Sequence, residues 1–132
     1  MTNDEVAAIA ESLPEVTVGE RYGNRTWFVR KKAFAWERPF SKADLTRFGD
    51  EEPPPGPIVA LSVADLDHKD EVLAMGLDGF FTIPHFDGYA AVLVALDDAD
   101  DDELTDAIRD AWVSQAPPTV AAAYLSEHGF DE

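Results

Sequence analysis

The chain has 132 residues, with 27 acidic and 10 basic side chains and a formal net charge of −17. This length is typical of one domain, and a hydrophobic content of 45% allows a core that can offset the entropy of folding. The sequence has no cysteine, which excludes disulfides, thiol nucleophiles and thiolate metal sites. No apolar run approaches the roughly 20 residues of a membrane span, and the acidic first residues are unlike a signal peptide. We therefore expect a soluble, cytoplasmic protein without membrane partners, folded as a single domain over residues 1–132.

The charge is distributed unevenly along the chain. The segment Arg21–Arg47 contains eight basic and two acidic side chains, a net charge of +6, whereas the other residues sum to −23. This asymmetry indicates either a local site for phosphates or other anions, or a solvated hairpin whose basic side chains pair with nearby acids. The large acidic remainder argues against non-specific coating of DNA.

The first part of the chain predicts a helix followed by three strands. Thr2 and Glu5 have the spacing of a capping box, and the apolar pattern that follows favours a helix ending at Pro14. Alternating valines predict a strand after it, with a turn at residues 22–24. The aromatic-rich segments Arg25–Val29 and Ala33–Glu37 predict a hairpin with a basic tip, which lacks the Asn-Gly or Asp-Gly pair typical of the tightest turns.

The second part predicts three more strands and four helices. Ser41 is expected to cap a short helix that stops at Gly49, and the proline-rich residues 50–57 form an internal loop. A central strand at residues 58–63 precedes a helix that Asp67 caps and Gly76 ends, and two strands follow at 80–83 and 89–96. The acidic run 97–103 caps a further helix and lacks the spacing of an EF-hand. A last helix starts at residues 117–118, and residues 127–132 are expected to form a flexible C-terminal end.

Two groups of side chains are candidates for function. Five basic residues of the predicted hairpin form the anion-binding or nucleic-acid-binding hypothesis, namely Arg25, Arg30, Lys31, Lys32 and Arg38. The alternative is a ligand pocket or a small enzyme site around His85, Asp87 and Tyr89. His68 is expected to face solvent, and the spacing of the histidines matches no standard zinc site.

The sequence has no motif that supports catalysis. It contains no Gly-x-Ser-x-Gly elbow, no phosphate-binding Gly-x-x-x-x-Gly-Lys-Ser/Thr and no Gly-x-Gly-x-x-Gly. We therefore expect no cofactor, no metal and no catalytic residue, and favour a binding module over an enzyme.

The order and spacing of several short motifs resemble the MmcQ/YjbR family across residues 8–125. These are Leu13-Pro14 with Gly23 downstream, the hairpin segment 28–35, the aromatic-glycine segment 77–89 and the apolar run 92–94. The resemblance implies an α+β fold, a two-layer sandwich in which helices cover one side of a mainly antiparallel sheet. The expected order of elements is α-β-β-β-α-β-α-β-β-α-α.

The family is similar to the double-wing DNA-binding domain of a phage transcription factor, and its biochemical role is largely uncharacterised. The resemblance therefore implies a binding module for nucleic acid or a small anionic ligand. Many relatives carry a Ser-Tyr signature in the last helix, where this chain has Ala123 before Tyr124. A third possibility is a protein–protein interaction domain, either a monomer or a weak dimer that pairs through an exposed strand edge.

Overall fold

The computed structural model describes residues 1–49, 56–83 and 86–127. Within these ranges, helices and strands follow one another in the predicted order, and the predicted α+β class is confirmed. The strands form one antiparallel sheet in the order β1-β2-β3-β4-β6-β5. The elements are α1 (Asn3–Glu11), β1 (Val16–Arg21), β2 (Asn24–Val29), β3 (Lys32–Glu37), α2 (Lys42–Phe48), β4 (Ile58–Ser62), α3 (Leu66–Ala74), β5 (Phe80–Phe81), β6 (Ala91–Ala95), α4 (Asp101–Gln115) and α5 (Pro118–Glu127).

The main core lies between one face of the sheet and the helices. Alternate residues of the strands point to this face, because successive side chains of a strand face opposite sides. Trp27 of β2 and Trp112 of α4 are its largest fully buried side chains, with Phe34 of β3 beside them. We call this side of the sheet the helical face.

A smaller apolar cluster lies on the opposite side, which we call the open face. Ile58, Ala60 and Leu93 form its buried centre on the two central strands. The segment that carries Phe86 and the aromatic rings of Phe40 and Phe48 cover part of it. Because β4 and β6 are buried on both sides, they are near-continuous apolar runs, as their sequences predicted.

Several helix boundaries follow the predicted caps. Thr2 and Ser41 each accept a hydrogen bond from the backbone amide three residues later, and both form complete capping boxes. Asp100 accepts from two backbone amides at the start of α4, so the acidic run caps this helix as predicted.

Other boundaries differ from the prediction. Helix α3 starts two residues earlier, because Asp65 rather than Asp67 accepts the amide hydrogen of His68 and caps it. Helix α1 ends at Glu11 instead of reaching Pro14. The strands predicted at 80–83 and 89–96 are shorter, since the ladder pairs only Phe80–Phe81 and Ala91–Ala95.

The hairpin of β2 and β3 closes through a two-residue turn without glycine. Arg30 and Lys31 have φ angles of 44° and 73°. Two consecutive residues at positive φ are typical of a type I′ turn, which usually contains Asn-Gly. The tip is therefore as tight as a hairpin turn can be, although its sequence carries no signal for it.

Some predicted features lie partly outside the described residues. They are the loop at 50–57, of which residues 56 and 57 are described, and the end at 127–132, of which residue 127 is described. The single-domain organisation stays a prediction, with one continuous sheet through the described ranges. None of the helices in those ranges is long and apolar enough to cross a membrane.

Candidate functional site

A groove of about 720 Å³ lies on the open face, at the end of the sheet where β1 meets β2 and β3 ends. Its floor comes from β2 and β3, where Thr26 pairs with Trp36 across the ladder. The turn between β1 and β2 forms one wall, and the segments that flank α2 and β6 form the others. We call this feature the open-face groove.

Five of the residues that line the groove are aromatic. The rings of Trp36 and Tyr89 meet edge to face with centroids 6.2 Å apart, and Tyr89 meets Phe86 in the same way at 5.7 Å. Phe40 lines the groove from the segment before α2. Tyr89 is 51% exposed and Tyr22, at the rim, is 93% exposed. Exposed rings around a concavity offer a surface for planar ligands.

Arg38 is a fixed cation in this groove. Its guanidinium lies 2.9 Å from a carboxylate oxygen of Asp44, whose side chain is only 1% exposed, and donates to the carbonyl of Pro39 at 2.6 Å. It also lies 5.5 Å from the ring centre of Phe86. Burial alone would raise the pKa of Asp44, but hydrogen bonds from Ser41 and Arg38 outweigh it and hold that pKa below 3.8. The ion pair is thus preformed.

Arg21 is a more accessible cation at the rim. Its guanidinium lies 5.9 Å from the ring centre of Tyr22, and it forms no ion pair among the described residues. A guanidinium without an acidic partner can accept a carboxylate or phosphate in a bidentate pair. Arg21 and Arg38 together give the groove a basic character within an acidic protein.

Lys69 of α3 holds the wall that carries Phe86 and Tyr89. Its side chain is buried, and Nζ donates to the carbonyl oxygens of Phe86 at 2.6 Å and Tyr89 at 2.9 Å. Burial lowers the pKa of Lys69, and the charges of Asp87 and Asp70 partly offset this effect. Lys69 therefore positions two groove residues without lining the groove.

The predicted basic cluster does not gather in one place. Arg25 lies beside the helical face, where its guanidinium contacts Glu37 at 2.7 Å and Asp4 at 3.4 Å. Arg30 pairs with Glu15 at 2.6 Å. The structure therefore places these two arginines next to acidic side chains, whereas Arg38 lies in the open-face groove.

Lys31 and Lys32 lie at the opposite end of the hairpin from the groove. Both side chains are exposed, and neither forms an ion pair within the described ranges. They are the accessible positive charges of the hairpin tip.

The structure describes two of the three residues of the alternative ligand pocket at His85, Asp87 and Tyr89. Tyr89 lines the open-face groove, and Asp87 is exposed in the turn beside it. His85 lies outside the described residues, so the histidine at the centre of this hypothesis stays a sequence prediction. His68 is not simply solvated as predicted, because it is partly covered and its Nδ1 lies 3.7 Å from Glu71.

Sequence reasoning missed three residues that the structure makes prominent. Arg21 and Tyr22 were assigned to a strand end and a turn, and Lys69 was not singled out. One signal was available for Lys69, because it is one of only two basic residues outside the Arg21–Arg47 segment. Nothing local indicated that the turn at 22–24 faces the segment at 86–89.

These features define the chain as a two-layer α+β domain with a concave aromatic and basic groove on its open face. The YjbR family model matches residues 11–114, and the chain belongs to the YjbR family.

Two relatives match almost the whole chain, and the names of both assign no function. The protein is 41% identical to the uncharacterized protein Rv2570 of Mycobacterium tuberculosis over 131 residues, which cover 97% of this chain and 98% of the relative. The uncharacterized protein Mb2600 of Mycobacterium bovis matches with the same identity and coverage. No solved structure matches the chain.

Proposed function

We propose that this protein is a binding module for a small planar organic anion, and that the open-face groove is its site. The observation that carries this proposal is the lining of the groove, which combines aromatic rings with two guanidinium groups in one concavity of about 720 Å³. Small-ligand sites are concave, mostly apolar and fitted with a few convergent polar groups. The groove has all three properties.

The aromatic lining favours a ligand with a flat ring. Tyr89 contacts both Trp36 and Phe86 edge to face, so the three rings form a connected wall. Offset or edge contacts with an added ring are worth about 0.5–1.5 kcal/mol beyond the area they bury. Tyr22 at the rim can add a further contact with little loss of its other interactions, because it is almost fully exposed.

The cations favour a ligand with a negative group. Arg21 supplies an accessible guanidinium, and Arg38 supplies a second one whose position Asp44 fixes. The carboxylate of Asp44 compensates much of the charge on Arg38, so Arg21 carries the main electrostatic attraction. A single carboxylate or phosphate group matches this arrangement better than a polyanion does, because the rest of the chain is strongly acidic.

The test uses 2-naphthoate as a probe and isothermal titration calorimetry as the readout. We expect saturable binding that is weaker for the neutral naphthalen-2-ylmethanol and for the non-aromatic cyclohexanecarboxylate. Arg21→Gln should weaken 2-naphthoate binding about tenfold, a loss of about 1.4 kcal/mol. Arg30→Gln is the matched control, because Arg30 lies outside the groove and pairs with Glu15.

Several results would contradict the proposal. They are absence of saturable binding, equal affinity for the charged and neutral naphthalenes, or equal losses in the Arg21 and Arg30 variants. Equal affinity for 2-naphthoate and cyclohexanecarboxylate would show that the rings do not select a planar ligand.

Nucleic acid is a second candidate, favoured by the exposed and unpaired positions of Lys31 and Lys32 at the hairpin tip. Binding through this tip should weaken with salt, with a log–log slope near −0.9 for each phosphate contact on duplex DNA. The double variant Lys31→Glu/Lys32→Glu should then bind more weakly, and its log–log salt slope should be smaller by the amount that about two phosphate contacts contribute. If binding and slope are unaltered, the tip does not contact nucleic acid.

A further inference from the structure

A second cavity, of about 260 Å³, lies on the other side of the sheet from the open-face groove. It is bounded by β4 and β6, by α3 and by one side of α4. We call it the helical-face cavity. Its lining consists of an apolar floor and an acidic rim. This division is what indicates a ligand.

The floor is formed by side chains that point from the sheet and from α3 towards α4. They include Leu61 and Val92 on the central strands and Val72 on α3. Opposite them α4 presents Ala107 and Ala111, four residues apart and therefore on one side of the helix. These two alanines leave open a space that larger side chains would occupy. An apolar cavity of about 150 Å³ is enough to hold benzene in another protein, so this one can hold a short alkyl chain.

The rim is acidic because the same side of α4 continues with carboxylates. Glu103, Asp106 and Asp110 line the cavity, with His68 facing them from α3. Asp106 is paired with Arg109 at 2.7 Å, whereas Glu103 and Asp110 form no ion pair among the described residues. Burial raises the pKa of Asp110, although Arg109 and His68 partly offset this effect. A carboxylate held in this environment gains from a cationic partner.

We infer that the helical-face cavity binds a small hydrophobic cation, an alkyl ammonium whose chain lies against the apolar floor and whose charged nitrogen lies at the acidic rim that Glu103, Asp106 and Asp110 form. The acidic rim repels an anionic amphiphile, and the cavity is too small for a folded partner. A bare metal ion does not fit the site, because the described residues contain no cluster of three metal-ligating side chains and the floor is apolar.

This site is independent of the proposed function. The groove is lined with arginines and lies on the open face, whereas the cavity is lined with acids and lies on the helical face. Success or failure of the anion proposal therefore leaves the present one unaffected.

The experiment titrates the protein with n-hexylammonium by calorimetry, with hexan-1-ol and hexanoate as probes of equal length. We expect saturable binding of hexylammonium, weaker binding of the alcohol and none of the acid. The double variant Glu103→Gln/Asp110→Asn should weaken hexylammonium binding about tenfold, because it removes the two unpaired charges. Asp102→Asn is the matched control, since Asp102 is exposed on the same helix and does not line the cavity.

A second variant tests the floor. Ala107→Leu places a larger side chain in the cavity and should abolish binding of both hexylammonium and the alcohol. Ala122→Leu, on the exposed side of α5, is its control. The proposal is overturned by absence of saturable binding, by equal affinity for hexylammonium and hexan-1-ol, or by wild-type affinity in a folded Ala107→Leu protein. If Ala107→Leu does not fold, the charge variants decide the question alone.

Discussion

The ammonium group of Lys69 donates a hydrogen bond of 2.6 Å to the carbonyl oxygen of Phe86, and a second one to Tyr89. These two hydrogen bonds join α3 to the wall of the open-face groove that Phe86 and Tyr89 form. Because the lysine is only 5% exposed, no water can easily replace it. The shape of the groove therefore depends on a residue that does not line it.

Replacing Lys69 tests this dependence. Lys69→Met keeps most of the apolar volume but removes the charged donor from both carbonyls, each of which keeps only a backbone amide donor. We therefore expect the free energy of unfolding in urea to fall by about 2 kcal/mol. Binding of 2-naphthoate should weaken in the same variant, because Phe86 and Tyr89 lose their support. Lys32→Met, at an exposed position, should change stability by less than about 0.5 kcal/mol. Equal effects of the two substitutions would contradict a positioning role for Lys69.

The pair of Arg38 and Asp44 predicts opposite effects on stability and on binding. Asp44→Asn retains an oxygen that can accept from the Ser41 amide but removes the charge, so stability at neutral pH should fall by about 2 kcal/mol. The same change releases the charge of Arg38 into the groove and should tighten anion binding. A variant that loses stability and affinity together would show that Asp44 only supports the fold.

The same carboxylate predicts the pH dependence. The pKa of Asp44 is lower in the folded protein than its ordinary value of 3.8, so its contribution to stability is complete above that pH. The contribution is lost as the pH falls through the folded pKa. The stability difference between the natural protein and Asp44→Asn should therefore shrink on acidification below pH 3.8, measured by urea unfolding at several pH values. A difference that stays constant down to pH 2 would exclude this linkage.

The raised pKa of Asp110 predicts an effect on stability opposite in sign to that of Asp44. Burial raises its pKa above 3.8, so the ionised form is disfavoured in the folded protein and Asp110 lowers stability at neutral pH. Asp110→Asn should be more stable than the natural protein at pH 7, and this advantage should shrink as the pH falls through the raised pKa of the folded protein and be gone below pH 3.8. Asp102→Asn should show no such gain, because Asp102 lies in the first turn of α4, where the helix dipole favours a negative charge.

The sequence predicted the order of elements well because their signals are local. Capping boxes at Thr2 and Ser41 involve residues three apart, and the buried strands β4 and β6 are continuous apolar runs. The boundaries of α3 were wrong because two aspartates, Asp65 and Asp67, both fit the start of the helix. Sequence alone cannot decide which of them accepts the amide hydrogen.

The candidate site was harder to predict because it depends on contacts between distant segments. The charge count identified the region of Arg38, but it could not show that Glu15 lies beside Arg30 and Glu37 beside Arg25.

The Leu13-Pro14 motif also depends on a contact between distant segments of the chain. Trp112 donates a hydrogen bond of 3.0 Å from its indole nitrogen to the carbonyl of Pro14, 98 residues away in the chain.

The hairpin tip offers a last prediction, because Lys31 holds a left-handed backbone conformation that disfavours residues with a side chain. Lys31→Gly should relieve this strain and raise the free energy of unfolding by about 0.5 kcal/mol, after the entropic cost of glycine is subtracted. Lys32→Gly removes the same charge from a strand and should lower stability by about 0.5–1 kcal/mol. Urea unfolding of the two variants should therefore give changes of opposite sign. If both variants lose stability, the tip does not form the two-residue turn.

The same two variants also test nucleic-acid binding. If their stability changes have opposite signs and both lose nucleic-acid binding equally, the two charges bind independently of the strain in the turn.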